Sequence, residues 1–580
     1  MSPLTIVGND FVQDGQPVQI IAGAMHYFRI HPDLWEDRLR KLAWCGCNAL
    51  ETYVAWNVHE IKPGVFDFAG WQDLPRYLEL AAEHGLMCIV RPGPYICSEW
   101  DLGGLPAWLL ADPEMRLRCH YPPYLEAVDR YLDALMERLV PLQASAGGPI
   151  VAMQVENEYG SYGNDKTYLA HLRDGLRARG YEGLLFTSDG PGDFMLEGGT
   201  LLDVHKVVNF GSHPAGAFAK LREWQPTGPL MCGEFWCGWF DHWGEAHHAR
   251  PAAEAAAVLD EMLGMGASVS IYMFHGGTNF GFFNGANHGQ GYEPTVNSYD
   301  DDAPLSEAGD LTPKYHAFRD VIGKVRDLPS SPAPADSVKR AYGEVALSER
   351  ADLLANLGRL SQPLHSATPD PMEAVGQDFG FILYRTQVVG PRDELPIVLQ
   401  DCHDRALVFV DGEYRGVITR NDAEPQVKTA FGPGPHQLDL LVENMGRVNY
   451  GFHLHDRKGI TLCARHGQQF LFGWEIVPLP LQDLRGLQFA PADCLTGPAF
   501  FRGTFTVDEP ADTFLATPGW TKGVCWLNGF NLGRHWEIGP QRTLYIPAPL
   551  LKPGENELIV LELHETRSAT VELRDTPDLG

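Results

Sequence analysis

The sequence predicts an α/β domain followed by all-β domains: an N-terminal (β/α)8 TIM barrel and then two β-sandwiches. Three observations carry this. The first 325 residues hold eight apolar runs of strand length, at 20–25, 49–56, 86–90, 150–155, 184–187, 207–210, 229–235 and 268–274. Helical patterns fill most of the gaps between them, and strand–helix units repeated over a stretch this long fit a closed barrel better than an open sheet. After the Pro/Ser-rich segment LPSSPAPA at 328–335 the texture changes to short runs separated by Gly, Pro, Asp and Asn, which is β structure.

The elements follow in order. Leu74, Leu78, Ala81 and Ala82 recur with helical spacing, and Gly85 ends that helix. Leu125, Val128, Leu132, Leu135 and Leu139 mark one apolar helix face. Residues 251–263 are Ala-rich with a stop at Gly264, and 314–328 supply the last barrel helix. The stretch 190–206 is Gly-rich and irregular, and no element is assigned to it. No GxGxxG follows the first run, so a dinucleotide site is not expected. Beyond the linker, LVFVDG at 407–412 with Gly416 echoes VCWLNG at 524–529 with Gly533. Each reads as a strand, an Asp-Gly or Asn-Gly turn and a second strand, the strongest short hairpin signal. The expected division is a barrel over 1–328, a linker and associated segment over 329–375, one sandwich over 376–488 and a second over 489–580. By pattern alone, 339–360 fits either sandwich.

Composition excludes several function classes. With 44% hydrophobic and 21% charged residues among 580, the chain is neither mostly disordered nor a membrane-spanning bundle. Lys+Arg 45 against Asp+Glu 75 gives a net charge of −30, which repels phosphate backbones and anionic lipid. Neither nucleic acid nor a membrane is expected as a partner. The 11 cysteines include no CxxC pair, and several, such as Cys88, sit in apolar runs as small hydrophobes. Free thiols, together with an N-terminus lacking a signal-type apolar core, lead to an expected cytoplasmic location.

In a barrel of this kind the chemistry lies where strands end. Those ends carry His26 and Arg29, Glu51 and Tyr53, Arg91 through Cys97, Ser98 and Glu99, Gln154 through Glu158, Glu234 with Trp236, and His275 with Asn279. This mouth is rich in carboxylates and rings and poor in lysine, which suits a sugar: aromatic faces stack on C–H faces, and carboxylates accept hydroxyls. Glu158 and Glu234, on the fourth and seventh runs, stand on opposite sides of the mouth. Such a pair can flank one glycosidic bond as proton donor and nucleophile. Strand parity turns Glu156 and Glu158 the same way and Asn157 the other, so Glu156 stays a rival unless the strand end twists. The plain alternative for a lone strand-end glutamate here is a salt bridge with Arg91 or Lys166.

Several segments match one known pattern in order: GAMHYFR at 23–29, WEDRL at 35–39, ETYVAWN at 51–57, RPGPYICSEW at 91–100, GGLPAWL at 103–109, QVENEYG at 154–160, Glu234-Phe-x-x-Gly-Trp239, DHWG at 241–244 and GGTNFG at 276–281. Together they resemble glycoside hydrolase family 35, the β-galactosidases. The likeness runs on more loosely through FGFILYRT at 379–386 and WLNG at 526–529. The resemblance implies a retaining exo-β-galactosidase that takes terminal β-D-galactose from an oligosaccharide. It implies Glu158 as acid/base, Asn157 on the sugar 2-hydroxyl and Glu234 as nucleophile, which decides against Glu156. It places Tyr53, Cys97, Ser98 and Glu99 on the galactose pocket, Cys97 mainly through its backbone. Trp236 and Trp239 are candidate stacking rings or plain core aromatics. No cofactor and no metal are implied; His26, His59 and His242 sit in separate motifs. The sandwiches are galactose-binding-like, a homodimer is expected, and the likeness to bacterial, intracellular members implies β-1,3 linkages. Two other readings stay open: another retaining exo-glycosidase, such as an exo-β-glucosaminidase or β-mannosidase, and a non-catalytic galactoside-binding protein.

One departure stands out. The family commonly reads SYDYDAPLSE after the eighth strand, where this chain has SYDDDAPLSE at 298–307, so Asp301 replaces a tyrosine that touches galactose. Either Asp301 turns to solvent, with Tyr292 or Tyr299 replacing the missing ring, or it accepts a sugar hydroxyl directly.

Overall fold

A run in which every residue is apolar has no face to give to water, so it is stable only where both faces are covered, as in a parallel sheet wrapped by helices. Eight such runs close into one barrel in the computed structural model, which describes residues 2–424 and 427–580. Its strands are β1 (Ile21–Met25), β2 (Ala49–Tyr53), β3 (Met87–Arg91), β4 (Ile150–Gln154), β5 (Leu184–Asp189), β6 (His205–Phe210), β7 (Met231–Trp236) and β8 (Ser268–His275). Neighbours pair in parallel all the way round, β8 on β1 and β4 on β5. The helices α1 (Trp35–Cys45), α2 (Leu74–Glu83), α3 (Pro122–Leu139), α4 (Lys166–Ala178), α5 (Asp193–Gly199), α6 (Pro214–Trp224), α7 (Ala252–Gly264) and α8 (Pro313–Ile322) follow the strands. The α3 face Leu125, Val128, Leu132, Leu135 and Leu139 is buried, each side chain contributing about 2 kcal/mol by leaving water.

The structure corrects several local expectations. The second run ends at Tyr53 rather than at 56, because Trp56–His59 winds one helical turn and Trp56 Nε1 donates to Glu60 Oε2 at 2.6 Å. Gly264 is the last residue of α7, not its stop; the chain reverses at Gly266, where φ is +72°. The last barrel helix ends at Ile322 instead of reaching 328. The irregular stretch 190–206 contains α5.

The segment 329–375 is not a separate piece. Strands Gly343–Ala346 and Glu349–Asp352 pair with Thr570–Arg574 and Ala499–Val507 of the C-terminal sandwich. Leu364–Ser366 then joins the first sandwich through Trp474–Leu479. The chain thus visits the last domain before building the middle one. Two short strands have no core of their own and are stable only as additions to larger sheets.

The two echoed hairpins are Arg405–Val410 with Glu413–Thr419 and Lys522–Leu527 with Phe530–Trp536. Asp411-Gly412 and Asn528-Gly529 all take positive φ, as a two-residue type I′ turn requires. The long strand Phe381–His403 pairs with Lys428–Glu443 as far as Pro396, with Trp474–Leu479 along its first part and with Gly459–His466 from Ile397 on. Register breaks at Gly390/Arg392 let it bend from one layer into the next. A shared core of Phe381, Leu383, Leu407, Leu441, Phe500, Trp526 and Leu561 joins the two sandwiches. Arg447 of the first sandwich, fully buried, bridges Asp101 of the barrel and Glu373 at 3.1 and 2.6 Å.

Candidate active site

The strand ends converge on one cavity of about 300 Å³ at the barrel mouth. All nine residues expected to touch substrate line it: Tyr53, Cys97, Ser98, Glu99, Asn157, Glu158, Glu234, Trp236 and Tyr299.

Alternation along β4 breaks because the strand stops at Gln154. Glu156 and Glu158 both take left-handed backbone, with φ of 58° and 46°. Such a conformation costs a non-glycine residue of order 1–3 kcal/mol and is characteristic of functional turns. The result separates the two rivals. Glu156 turns away and forms a buried bidentate pair with Arg118, Nε to Oε1 at 2.9 Å and Nη2 to Oε2 at 2.8 Å. Its partner is neither Arg91 nor Lys166. Asn157 and Glu158 reach the cavity. The Glu158 backbone N–H donates to Ser188 O at 3.1 Å, which pins the turn to β5.

Glu156→Ala is therefore expected to be a stability variant. It strands the Arg118 charge in the interior, a change that costs about 3–5 kcal/mol. Thermal unfolding should drop by far more than the kcat of the folded fraction. A variant with native Tm but no turnover would contradict this.

The two cavity carboxylates sit in different surroundings. Glu234 Oε1 accepts from Arg91 Nη1 at 2.5 Å and from Tyr53 Oη at 2.6 Å, and Oε2 accepts from Trp236 Nε1 at 3.2 Å. A guanidinium and a phenol thus both donate to one oxygen of this carboxylate. Arg91 is itself fixed, Nη2 donating to Gly233 O at 2.9 Å and Nε lying 3.2 Å from Glu51 Oε1. Glu158 forms no ion pair among the described residues. Its Oε1 accepts from Asn209 Nδ2 at 3.0 Å, and Ser188 Oγ orients Asn209 through Oδ1 at 2.6 Å. Burial and the neighbouring Glu234 charge push the Glu158 carboxyl up to about 8. One carboxylate is thus paired with a guanidinium and the other is held towards its protonated form, two different environments for two carboxylates in one site.

The floor is built by a left-handed triplet. Cys97, Ser98 and Glu99 have φ of 59°, 61° and 48°. Arg29 holds this turn, donating to Ser98 Oγ at 2.8 Å and also to Ser98 O, and stacks on Tyr299 with 4.1 Å to the ring centroid. Tyr299 Oη donates to Glu99 Oε2 at 2.5 Å. The Cys97 thiol contacts Glu99 and accepts from Asn449 Nδ2 at 3.6 Å, so its side chain as well as its backbone takes part. Asn157 Oδ1 accepts from Gln154 Nε2 and lies 2.8 Å from Tyr53 Oη, whose one hydrogen goes to Glu234, and Nδ2 gives one hydrogen to Ile96 O. That leaves one amide hydrogen for a ligand.

Asp301 does not turn to solvent. It is buried, lines the cavity, and its Oδ2 accepts from Met273 N at 3.0 Å. Two glycines make room for this loop: a Cβ on Gly276 would lie 1.6 Å from Tyr299 O, and one on Gly238 1.6 Å from Asp301 O. Burial pushes the Asp301 carboxyl up to about 8. Tyr292, named as a substitute ring, is elsewhere: its hydroxyl serves Asp404 and Gly446 O at 3.0 and 2.5 Å.

Further lining residues escaped the sequence. Tyr272 points in from the middle of β8, and Phe240, Asn287 and Tyr450 stand at the wall. Tyr450 and Asn449 come from the first sandwich, some 290 residues beyond Glu158, with no local signal to mark them. Arg91 is among the strand-end residues the sequence offers, and Asn209 had a signal too, an amide inside the otherwise apolar run 207–210.

The histidines do not gather around one point. His26 lies against Arg29 Nη1 at 2.6 Å, and His59 against Tyr27 Oη at 2.5 Å and Asp67 O at 2.8 Å. Among the described residues, Asp241, Glu245 and His248 bring ligand-type atoms within 4.8 Å of one another. Asp241 already meets His247 and His248 at 2.7 and 2.9 Å, and Glu245 meets His242 at 3.1 Å. The cluster fixes the loop after β7 and lines no part of the cavity.

Comparison with known proteins identifies relatives along the whole chain. Residues 10–325 match Glycosyl hydrolases family 35, 369–480 the first all-beta domain of beta-galactosidase, and 498–556 the galactose-binding domain of beta-galactosidase. A beta-galactosidase of Bos taurus is 44% identical over 612 residues, covering 98% of this chain and 92% of that protein. A beta-galactosidase of Xanthomonas manihotis is 44% identical over 546 residues, covering 93% and 90%. The beta-galactosidase-1-like protein of Mus musculus is 43% identical over 590 residues, covering 98% and 91%.

Proposed function

The chain belongs to glycosyl hydrolases family 35 and is a glycoside hydrolase acting on β-galactosides, and from that premise we propose that it works with retention, Glu234 as nucleophile and Glu158 as acid/base. The observation that carries this is the opposite electrostatic setting of the two carboxylates in one cavity. Protonated Glu158 gives its proton to the leaving oxygen while ionised Glu234 attacks the anomeric carbon, forming a galactosyl–enzyme ester. Glu158, now ionised, takes a proton from the water that opens the ester and frees galactose. The free hydrogen on Asn157 Nδ2 suits the 2-hydroxyl.

Release from a chain end is supported by the cavity itself. At about 300 Å³ it is at the small end of ligand sites, and the buried rings of Tyr53, Tyr272 and Tyr299 and the Glu99 carboxyl close its floor. A terminal sugar fits such a blind pocket; a threaded chain does not. Hydrolysis of aryl β-galactosides, compared with aryl β-mannosides and β-glucosaminides, tests the reading. A preference for either of the latter, or binding without turnover, would overturn it. The β-1,3 linkage, the homodimer and the cytoplasmic location are proposals resting on the family likeness and the sequence. Linkage-defined disaccharides, solution mass and cell fractionation test them in turn.

Asp301 enters this reading as a neutral acid below pH 8, able to donate as well as accept. Asp301→Asn keeps that shape and polarity, so KM for galactosides near pH 6 should change by less than about threefold, whereas Asp301→Ala loses a sugar hydrogen bond worth about tenfold. The pH–rate profile should stay in place in the Asn variant, since the charges acting on Glu158 come chiefly from Glu234 and then Asp189. Equal damage in both variants would show that a negative charge is needed there.

A further inference from the structure

A second cavity, of about 810 Å³, opens in the first sandwich beside the galactose pocket. Its walls include His288, Gln400, Asp401, Asp422, Phe452 and His453. Two chain segments form the ridge between the two cavities. In the hairpin Ala286–His288/Tyr292–Pro294, Asn287 lines the galactose pocket and the next residue, His288, lines the cleft. In the segment after Arg447, Tyr450 lines the pocket and Phe452 the cleft. Two residues of chain span at most about 7 Å, so the rim of the cleft begins where the rim of the pocket ends.

We propose that this cleft binds the sugars on the leaving-group side of the scissile bond, so that the preferred substrate is a neutral oligosaccharide longer than a disaccharide. This rests on the β-galactosidase reading above and names the length of its substrate. The chemistry of the walls carries it. Phe452 is 81% exposed, and an apolar ring held this far out of its own core offers a face to a ligand. It does not stand alone: its ring lies 4.3 Å from that of His453, which lies 4.0 Å from that of His288. The three make a continuous aromatic crest, the surface on which sugar C–H faces pack. Elsewhere in the wall Gln400, Asp401 and Asp422 are among the exposed side chains, acceptors for hydroxyl groups. The cation in this wall, Arg420, is spent on Asp404 and Asp456 at 3.1 and 2.7 Å. With no free Lys or Arg among the described residues of its wall, and a net charge of −30, the cleft repels sulfated or acidic glycans and suits neutral ones.

The test compares kcat/KM for a β-galactosyl-terminated disaccharide and for a tetrasaccharide with the same terminal linkage. The ratio of the two is the readout, because it cancels any general loss of folding or turnover. The expected ratio in the wild type is about tenfold in favour of the longer substrate, the scale of one good ring contact. Phe452→Ala and, independently, His453→Ala should bring it towards one. A ratio near one in the wild type, or a tenfold ratio that survives both substitutions, overturns the proposal while leaving the β-galactosidase reading intact. Failure of the wild type to cleave either substrate, or any aryl galactoside, overturns both. A flat ratio together with a dimer that Phe452→Ala turns into a monomer would assign the crest to a second copy of the chain and overturn it as well.

Discussion

Glu234→Gln is expected to lower kcat by about 10⁴-fold or more on every galactoside, the scale seen when a nucleophile is removed. In free-energy terms that is about 5 kcal/mol of lost transition-state stabilisation. The loss should not depend on the leaving group, because a good phenol and a poor sugar alcohol both need the anomeric carbon attacked. The substitution is nearly isosteric, and Arg91 keeps Glu51 Oε1 at 3.2 Å as a counter-charge, so folding should survive. KM for galactose-type inhibitors should therefore move far less than kcat. A 2-fluoro galactoside that slows breakdown of the ester should leave its label on Glu234. A label on Glu156 or Glu99 would refute the assignment, and so would a variant that retains more than about one per cent of turnover.

Much of this site was legible in the sequence, and what was not has a common physical cause. The barrel strands could be read because continuous apolar runs have only one stable setting, a sheet covered on both faces. The carboxylate pair could be read because each member lies near or just beyond the end of such a run. Parity failed to separate Glu156 from Glu158 because it assumes a strand that continues, and this one stops at Gln154 with two left-handed residues beyond it. The partners of the carboxylates were hidden for a different reason. Arg118 lies 38 residues from Glu156, and Arg91 lies 143 from Glu234, so only the closed barrel brings them together. The sequence left open whether Asp301 turns to solvent or towards a sugar, and the structure gives each carboxylate of 300–302 a backbone donor. Met273 N serves Asp301, Glu307 N serves Asp300 and Arg250 N serves Asp302. Burial was decided by N–H groups that a sequence does not display. The contribution of the first sandwich through Asn449 and Tyr450 was hidden in the same way, since a domain interface leaves no periodicity.

The second large effect is expected from Glu158→Ala, and its signature is selective. Loss of a general acid costs about 10²–10⁴-fold where the leaving group needs a proton. Oligosaccharides should suffer that loss in the first step, and an activated phenol, which leaves as the anion, should not. What slows the phenol substrate is the second step, where no base deprotonates water. Azide needs no base, so it should restore turnover of the phenol substrate and yield β-galactosyl azide, the product of a second inversion at the anomeric carbon. An α-azide would mean a single inversion and would refute the double displacement. The pH profile supplies the independent check. The reactive form of Glu158 is the protonated one, and its carboxyl is held at about 8 by burial and by the Glu234 charge. In the wild type kcat/KM should therefore hold from neutral pH up to about 8 and fall about tenfold per unit above it. In Glu158→Ala that basic limb should vanish for the phenol substrate, because the group that titrates is gone. A basic limb near pH 8 that persists in the variant would assign the proton to another group, and buried Asp301, pushed to about the same value, would then be the carboxyl to test.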